Sequence, residues 1–231
     1  DNLMHCHALA AAKQNGIGQM VLVSAICVQK PQLAFQQAKL AFEAELRGSG
    51  LAYTIIRPTA FFKPLSGQIA RVKAGKPLLQ SGDGRATACK PISDRDLGNF
   101  VAGTLDAPAC TNQILPIGGP GPALTPLDQG RMLFDLIGQK PCFRHVPFWT
   151  MDAIVTGLSL AGMLSKTAAE KSELARIGRY YARESMLVWD AKTGRYEADA
   201  TPVTGADTLQ DHFAKVLSGE TTIDLGAHAV F

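Results

Sequence analysis

The chain lacks the features that mark several broad classes of protein. Its 231 residues contain no CxxC pair and no block of basic residues, and the 23 basic and 20 acidic side chains are spread along the sequence. Nucleic acid is therefore not an expected partner, because proteins that bind it concentrate lysine and arginine on one face. An odd number of widely spaced cysteines argues against a disulfide framework and a metal site, and indicates a reducing compartment. The cysteines are Cys6, Cys27, Cys89, Cys110 and Cys142.

Long apolar runs are also missing. The longest, Met151–Leu164, contains Asp152 and is shorter than the ~20 residues that a membrane-spanning helix needs. We expect a buried or interfacial helix there. The overall composition, with 46% hydrophobic and 19% charged residues, is that of an ordinary globular protein.

The most informative absence is a glycine-rich phosphate loop. Gly16-Ile17-Gly18 precedes an apolar run, so it is interpreted as a turn. Gly118-Gly119-Pro120-Gly121 follows a short apolar run, but it lacks the G-x-G-x-x-G spacing and does not open directly into a helix. We expect a tight turn that borders a substrate pocket at this second cluster.

The first sixty residues nevertheless alternate as a parallel α/β protein does. Residues 2–14 predict a helix, Gln19–Ser24 a buried strand, Pro31–Arg47 a second helix, and Tyr53–Arg57 a second strand. This order predicts a Rossmann-type, doubly wound parallel sheet. Because the glycine loop is absent, the chain is expected to be N-terminally truncated and to hold only the C-terminal part of that sheet. Residues 1–118 are assigned to the NAD(P)-binding domain and residues 119–231 to a mostly helical, substrate-binding region.

Helix signals continue in the second half. Ser93 with Asp96 predicts a helix start and Gln113–Ile117 a short strand. Thr125 with Pro126 is a strong helix start, and Gly138 the matching stop. Further helices are expected at about 148–164, 167–182 and 207–218.

Three residues stand where short-chain dehydrogenases keep their chemistry. In that superfamily a strand-end serine is followed by Tyr-x-x-x-Lys on the next helix, and the lysine lowers the pKa of the tyrosine that donates a proton. Here Ser24 ends the strand and Lys39 occupies the lysine position, but Phe35 replaces the tyrosine and cannot donate a proton. The plainer alternative is that Lys39 is a solvated helix residue paired with Glu43 at i+4.

Two further groups are candidates. The end of the second strand, Pro58, Thr59, Ala60 and Phe61, would lie beside a nicotinamide in a dinucleotide-binding fold, while Phe61 and the adjacent Phe62 also suit a plain core. Tyr180 and Tyr181 offer phenols on a later helix, either as pocket walls or as a helix–sheet interface.

The chain resembles the family of divinyl chlorophyllide a 8-vinyl-reductases, atypical members of the short-chain dehydrogenase superfamily and relatives of the NmrA-like proteins. The resemblance runs nearly end to end. It is carried by SAICVQKP (24–31), AKLAFEAEL (38–46), RPTAFFKPL (57–65), CKPISDRDL (89–97), LPIGGPGPALTPLDQG (115–130) and IGRYYARESMLVWD (177–190).

The resemblance implies an oxidoreductase of chlorophyll biosynthesis. It would use NADPH to reduce the 8-vinyl group of divinyl chlorophyllide a or protochlorophyllide a to ethyl. Lys39 would orient the ribose, and Ser24 with the Pro58–Phe61 backbone would position the nicotinamide. Phe35, Phe61 and Phe62 would pack on the flat macrocycle, with Tyr180 and Tyr181 as further walls. The proton donor stays open among Tyr180, Tyr181 and solvent.

Two other readings remain. The lost tyrosine motivates an NmrA-like protein that binds NAD(P) without turnover, as a redox sensor or assembly factor. The other alternative is a different reductase, of the isoflavone-reductase type. The resemblance implies a chloroplast location in a plant or alga and a cytoplasmic one in a bacterium, and a greasy substrate is compatible with peripheral membrane association.

Overall fold

The computed structural model describes residues 2–163 and 165–223. Its central sheet consists of β1 (Gln19–Val23), β2 (Ala52–Pro58) and β4 (Gln113–Ile117), which run parallel in the order β1–β2–β4. Gln19 is opposite Ala52, and Thr54 is opposite Gln113. The predicted α/β fold class with a parallel sheet is therefore confirmed.

Two apolar clusters show why the sheet is covered on both faces. Ile55 and Ile56 are neighbours on β2, so their side chains point to opposite faces. Ile55 packs with Leu9 and Phe42 of helices α1 (Asn2–Gln14) and α2 (Ala34–Arg47). Ile56 packs instead with Leu97 of α5 (Asp94–Leu105). Helices therefore lie on both sides, as the doubly wound interpretation requires.

The remaining elements build a second layer around the sheet. The helices are α3 (Phe62–Leu65), α4 (Ile69–Lys73), α6 (Pro126–Ile137), α7 (Phe148–Gly162), α8 (Lys166–Tyr181) and α9 (Leu209–Ser218). The strands are β3 (Leu78–Ser81), β5 (Phe143–Val146), β6 (Val188–Asp190) and β7 (Arg195–Glu197). β3 pairs with β5 in parallel, and β6 forms an antiparallel hairpin with β7.

This layer has a core of its own. Phe62 and Val72 share it with Leu133 and Phe213, which come from the other side of residue 118. The boundary between residues 118 and 119 stays a prediction.

The predicted caps are confirmed. Ser93 Oγ accepts a hydrogen bond from the Asp96 amide at 3.0 Å, and Thr125 Oγ1 accepts one from the Asp128 amide at 3.2 Å. Gly138 ends α6 with a left-handed φ of 70°. The second helix was predicted from Pro31 but begins at Ala34, because Leu33 is extended and a short 3₁₀ helix, Ile26–Gln29, precedes it. Leu164, the last residue of the predicted 148–164 helix, lies outside the described residues.

The second glycine cluster is a point of close backbone approach. A Cβ on Gly119 would lie 1.8 Å from the carbonyl oxygen of Pro91, and the Gly119 amide donates to the carbonyl of Lys90. The turn therefore packs against residues 90–92, and neither Gly118 nor Gly119 is among the residues that line the cavity described below.

Replacing Gly119 by alanine is expected to destabilise the fold by about 3 kcal/mol, because the added methyl meets backbone atoms that no side-chain rotation can move. Gly103 provides the matched control, since it is an exposed residue in the interior of α5 with nothing within 4 Å of an added Cβ. Gly103→Ala should stabilise by about 0.5–1 kcal/mol. Urea unfolding of both variants measures the contrast, and equal midpoints would contradict it.

No helix of the described ranges is both long and apolar enough to cross a membrane.

Candidate functional site

A cavity of about 670 Å³ lies at the carboxyl ends of β1 and β2. Ala25, Ile26 and Cys27 follow β1 and form one wall, and Pro58–Phe61 at the end of β2 forms the next. Open parallel sheets bind their ligands outside the carboxyl ends of the strands. The size is within the range of small-molecule sites.

The opposite walls come from the second layer. The last turns of α8 contribute Ile177, Gly178 and Tyr181, and the β3 region contributes Gln80 and Ser81. The cavity is therefore enclosed by segments that are far apart in the sequence.

The cavity wall carries no charge. None of the lining residues within the described part of the chain is Asp, Glu, Lys, Arg or His, and the titratable side chains among them are Cys27 and Tyr181. Most of the other side chains are aliphatic or aromatic. Such a wall suits the apolar part of a ligand better than a polar or ionic part.

Six of the sequence-predicted site residues line this cavity. They are Phe35, Pro58, Thr59, Ala60, Phe61 and Tyr181. The β2 end among them is held by backbone contacts, since the Ile92 amide donates to the carbonyl of Ala60 at 2.8 Å and the Thr59 hydroxyl donates to the carbonyl of Lys90. These hydrogen bonds join the end of β2 to residues 90–92, which precede α5.

Ser24 does not line the cavity. Its hydroxyl donates to Glu43 Oε1 at 2.5 Å, and Glu43 also receives Arg57 Nε at 3.1 Å and a second bond from Arg57 Nη2. The Glu43 side chain is 3% exposed and that of Arg57 18%. This buried carboxylate joins α2 to the ends of β1 and β2.

Lys39 also lies outside the cavity wall, and its expected alternative partner is taken. Glu43 is bonded to Arg57 and Ser24, so the interpretation of Lys39 as the i+4 partner of Glu43 is wrong. Lys39 is half-buried, and among the described residues its ammonium has no hydrogen-bond or ion-pair partner. It is one helical turn beyond Phe35 and shares its face of α2. Within the described part of the chain, the Lys39 ammonium is therefore unpaired, one helical turn from a residue that lines the cavity.

Phe62 and Tyr180 are placed elsewhere. Phe62 is 6% exposed in the second core, where its ring lies 5.3 Å from that of His212. Tyr180 is 5% exposed, and its hydroxyl donates to the carbonyls of Cys27 at 2.9 Å and Lys30 at 3.2 Å. Burial raises the pKa of Tyr180 to about 12. Tyr180 thus attaches α8 to the segment after β1.

Most residues of the cavity wall were missed by sequence reasoning, among them Cys27 and Gln80. Cys27 looks like one of five scattered cysteines, and only its place after β1 was a usable signal. Gln80 lies in β3, which had no clear sequence signal, and the residue is only 4% exposed.

The orientation of the Gln80 amide follows from its neighbour. His145 Nδ1 lies 2.7 Å from the carbonyl oxygen of Gly82, which only accepts, so Nδ1 carries the proton. The Gln80 atom 3.1 Å from Nδ1 is then the amide oxygen, and the NH₂ group is the buried atom that lacks a partner beside Gly84. This unpartnered amide atom is itself buried, so it is not exposed to a ligand in the cavity.

Comparisons with known proteins agree with this geometry. Residues 1–108 match the NAD(P)H-binding family NAD_binding_10. Among solved structures, an NADPH-dependent quinone oxidoreductase from Escherichia coli in complex with NADPH superposes with a TM-score of 0.66 at 16% identity, covering 92% of this chain and 70% of that one. A nucleoside-diphosphate-sugar epimerase from Staphylococcus aureus superposes with a TM-score of 0.60 at 16% identity, and the match covers 91% of this chain and 69% of that one. These two matches show the fold.

Curated sequences give a closer relationship. The chloroplastic divinyl chlorophyllide a 8-vinyl-reductase of Cucumis sativus is 50% identical over 97% of this chain and 55% of its own length. The enzyme of that name from Oryza sativa subsp. indica is 48% identical over 97% of this chain and 57% of its own. The chain spans about half the length of these relatives. Over the half of their length that it spans, the chain is therefore similar to the divinyl chlorophyllide a 8-vinyl-reductases, and its first 108 residues match an NAD(P)H-binding family.

Proposed function

We propose that the natural protein reduces the 8-vinyl group of divinyl chlorophyllide a or divinyl protochlorophyllide a to ethyl with NADPH, in chlorophyll biosynthesis. The observation that carries this proposal is the ~50% identity to reductases of that name over 97% of the chain. The uncharged cavity supports it, because a flat conjugated macrocycle needs apolar walls.

The residues present fit a nicotinamide cofactor. The Lys39 ammonium, which has no partner within residues 2–163 and 165–223, could bind ribose hydroxyls, and the Pro58–Phe61 backbone lies at the strand ends where such cofactors bind. When bound, NADPH would supply the hydride. The buried Ser24 hydroxyl, which donates to Glu43, would act by holding the ends of β1 and β2 in place.

Substrate contacts are proposed for the cavity wall. Phe35 and Phe61 would stack on the macrocycle. Phe62 and Tyr180 would support these walls from behind.

The experiment is a turnover assay with the natural full-length protein. With divinyl chlorophyllide a and NADPH, we expect a monovinyl product two mass units heavier, formed in step with NADPH oxidation. Binding of NADPH without any product would contradict the proposal and support the second candidate, an NmrA-like sensor or assembly factor, which the presence of Phe35 in place of a tyrosine favours.

A location in the chloroplast is proposed if the source is a plant or alga, since the relatives are named chloroplastic. A bacterial source would imply the cytoplasm.

Peripheral membrane association is proposed through one face of α7. Trp149 is 68% exposed, Leu160 64% and Met163 82%. The latter two follow Trp149 by about three and four helical turns, so the three share one face. An exposed apolar face of this kind suits insertion into a lipid surface.

In co-sedimentation with 3:1 phosphatidylcholine–phosphatidylglycerol vesicles, the natural protein should pellet. Replacing Trp149, Leu160 and Met163 together by serine should leave most of it in the supernatant. Leu105→Ser removes an exposed apolar residue of α5 and is the control. Equal pelleting of all three proteins would contradict the proposal.

A further inference from the structure

Reduction of a vinyl group requires a proton as well as a hydride, and the cavity wall restricts its source. Within residues 2–163 and 165–223, Cys27 and Tyr181 are the lining side chains that carry an acidic proton. No carboxyl group, imidazole or ammonium of the described chain lines the wall. A protein-derived proton therefore has two candidate origins.

These two groups are in contact. Tyr181 is the last residue of α8, Cys27 lies in the 3₁₀ helix after β1, and the Tyr181 hydroxyl donates to Cys27 Sγ at 3.6 Å. Phe35 packs in the same cluster. The phenol of Tyr181, from α8, therefore lies in the same cluster as Phe35, which occupies the position of the expected tyrosine on α2.

Tyr180 is unsuited to the same task. It does not line the cavity, whereas Tyr181 does, and the Tyr180 hydroxyl bonds to the backbone carbonyls of Cys27 and Lys30. Its ring packs edge-on against that of Tyr181 at 5.4 Å between centroids. Tyr180 therefore helps to hold the Tyr181 ring in position.

The protonation state of Tyr181 suits a donor. Burial raises the pKa of Tyr181 above the ordinary value of a phenol, and the adjacent Cys27 raises it further. The hydroxyl consequently stays protonated throughout the neutral range.

We propose that Tyr181 delivers the proton of the reduction and that Cys27 is a positioning residue that orients its hydroxyl. This inference rests on the proposed function. One vinyl carbon receives the hydride that bound NADPH supplies, and the electron pair of the C=C bond passes to the other carbon and the conjugated ring. That carbon takes the proton from Tyr181 Oη, and the tyrosinate recovers a proton from water. One hydride and one proton are consumed, and NADP⁺ leaves.

The test uses the natural full-length protein and four variants, Tyr181→Phe, Cys27→Ala, Cys27→Ser and Tyr53→Phe. Tyr53→Phe removes a phenol at the opposite end of β2 and is the matched control. Two quantities are measured: the Kd of divinyl chlorophyllide a for protein without NADPH, by quenching of tryptophan fluorescence, and the single-turnover rate with NADPH in H₂O and D₂O.

For Tyr181→Phe we expect an unchanged Kd and a rate lowered about 100-fold or more, the usual contribution of a positioned general acid. The ratio of the rates in H₂O and D₂O should differ between this variant and the natural protein. Cys27→Ala should lower the rate by a smaller factor at unchanged Kd, with Cys27→Ser restoring it, whereas Tyr53→Phe should match the natural protein in both quantities.

Two results would overturn the inference: a Tyr181→Phe rate within about twofold of the natural protein, or a rate loss fully matched by weaker substrate binding, which would indicate a wall residue only. Failure of the proposed function is seen separately, since the natural protein itself would then yield no monovinyl product.

Discussion

Replacing Lys39 by methionine in the natural full-length protein is expected to raise the Kd for NADPH about 30-fold. Methionine keeps the length and much of the apolar stem of lysine but removes the charge. The Lys39 ammonium has no partner among the described residues, and Glu43 is occupied by Arg57 and Ser24. No internal ion pair is therefore lost, and the change acts on the ligand alone. A hydrogen bond from a charged group contributes about 2 kcal/mol, which corresponds to this factor.

The measurement is a titration of each protein with NADPH, followed by nucleotide fluorescence. Lys140→Met is the control, because Lys140 is exposed between α6 and β5 and away from the cavity. Its Kd should match that of the natural protein. An unchanged Kd in Lys39→Met would show that Lys39 does not contribute to NADPH binding.

Glu43→Gln is expected to destabilise the fold by about 3 kcal/mol. The substitution keeps the shape of the side chain but leaves the guanidinium of Arg57, 18% exposed, without a counter-charge. Removing one member of a buried pair costs more than the pair itself contributes, because the remaining charge is desolvated and unpaired. Ser24→Ala removes only the neutral donor to Glu43 and should cost about 1 kcal/mol.

Urea unfolding provides the comparison, with an exposed ion pair as control. Arg179 lies 3.3 Å from Asp152, and both side chains are about two-fifths exposed. Arg179→Gln should therefore change the free energy of unfolding by less than about 1 kcal/mol. A Glu43→Gln effect as small as this would show that Glu43 does not hold the strand ends together. Combining Glu43→Leu with Arg57→Leu should recover much of the loss, since neither charge is then buried alone.

Local signals were sufficient where a helix depends on its own first turn. Ser93 and Thr125 cap α5 and α6 as their sequences predict, because the capping side chain and the amide that it accepts from are three residues apart. The strands β3 and β5 were not predicted. Each has four residues, and their pairing joins positions 65 residues apart, as in Gln80 opposite His145. No local pattern reports such a partner.

The residues of the site, like the elements of the fold, could be predicted from sequence only where a local pattern locates them. The strand-end residues Pro58–Phe61 could be located because parallel strands present their carboxyl ends to a common edge. The roles of Tyr180 and Tyr181 could not be separated from sequence, since adjacent residues on a helix point in directions about 100° apart and only packing decides which direction faces the cavity. In the structure Tyr181 lines it and Tyr180 bonds to the carbonyls of Cys27 and Lys30.

The sequence by itself determined the fold class, the resemblance to a reductase family and the presence of Phe35 at the position of the tyrosine, because these depend on periodicity, on sequence motifs and on residues close together in the chain. Only the tertiary structure decided that Glu43 pairs with Arg57 rather than with Lys39, and that the phenol of Tyr181 contacts the thiol of Cys27. Tyr181 and Cys27 are 154 residues apart. Contacts over such separations are set by how the layers pack, which no pattern within a few residues encodes.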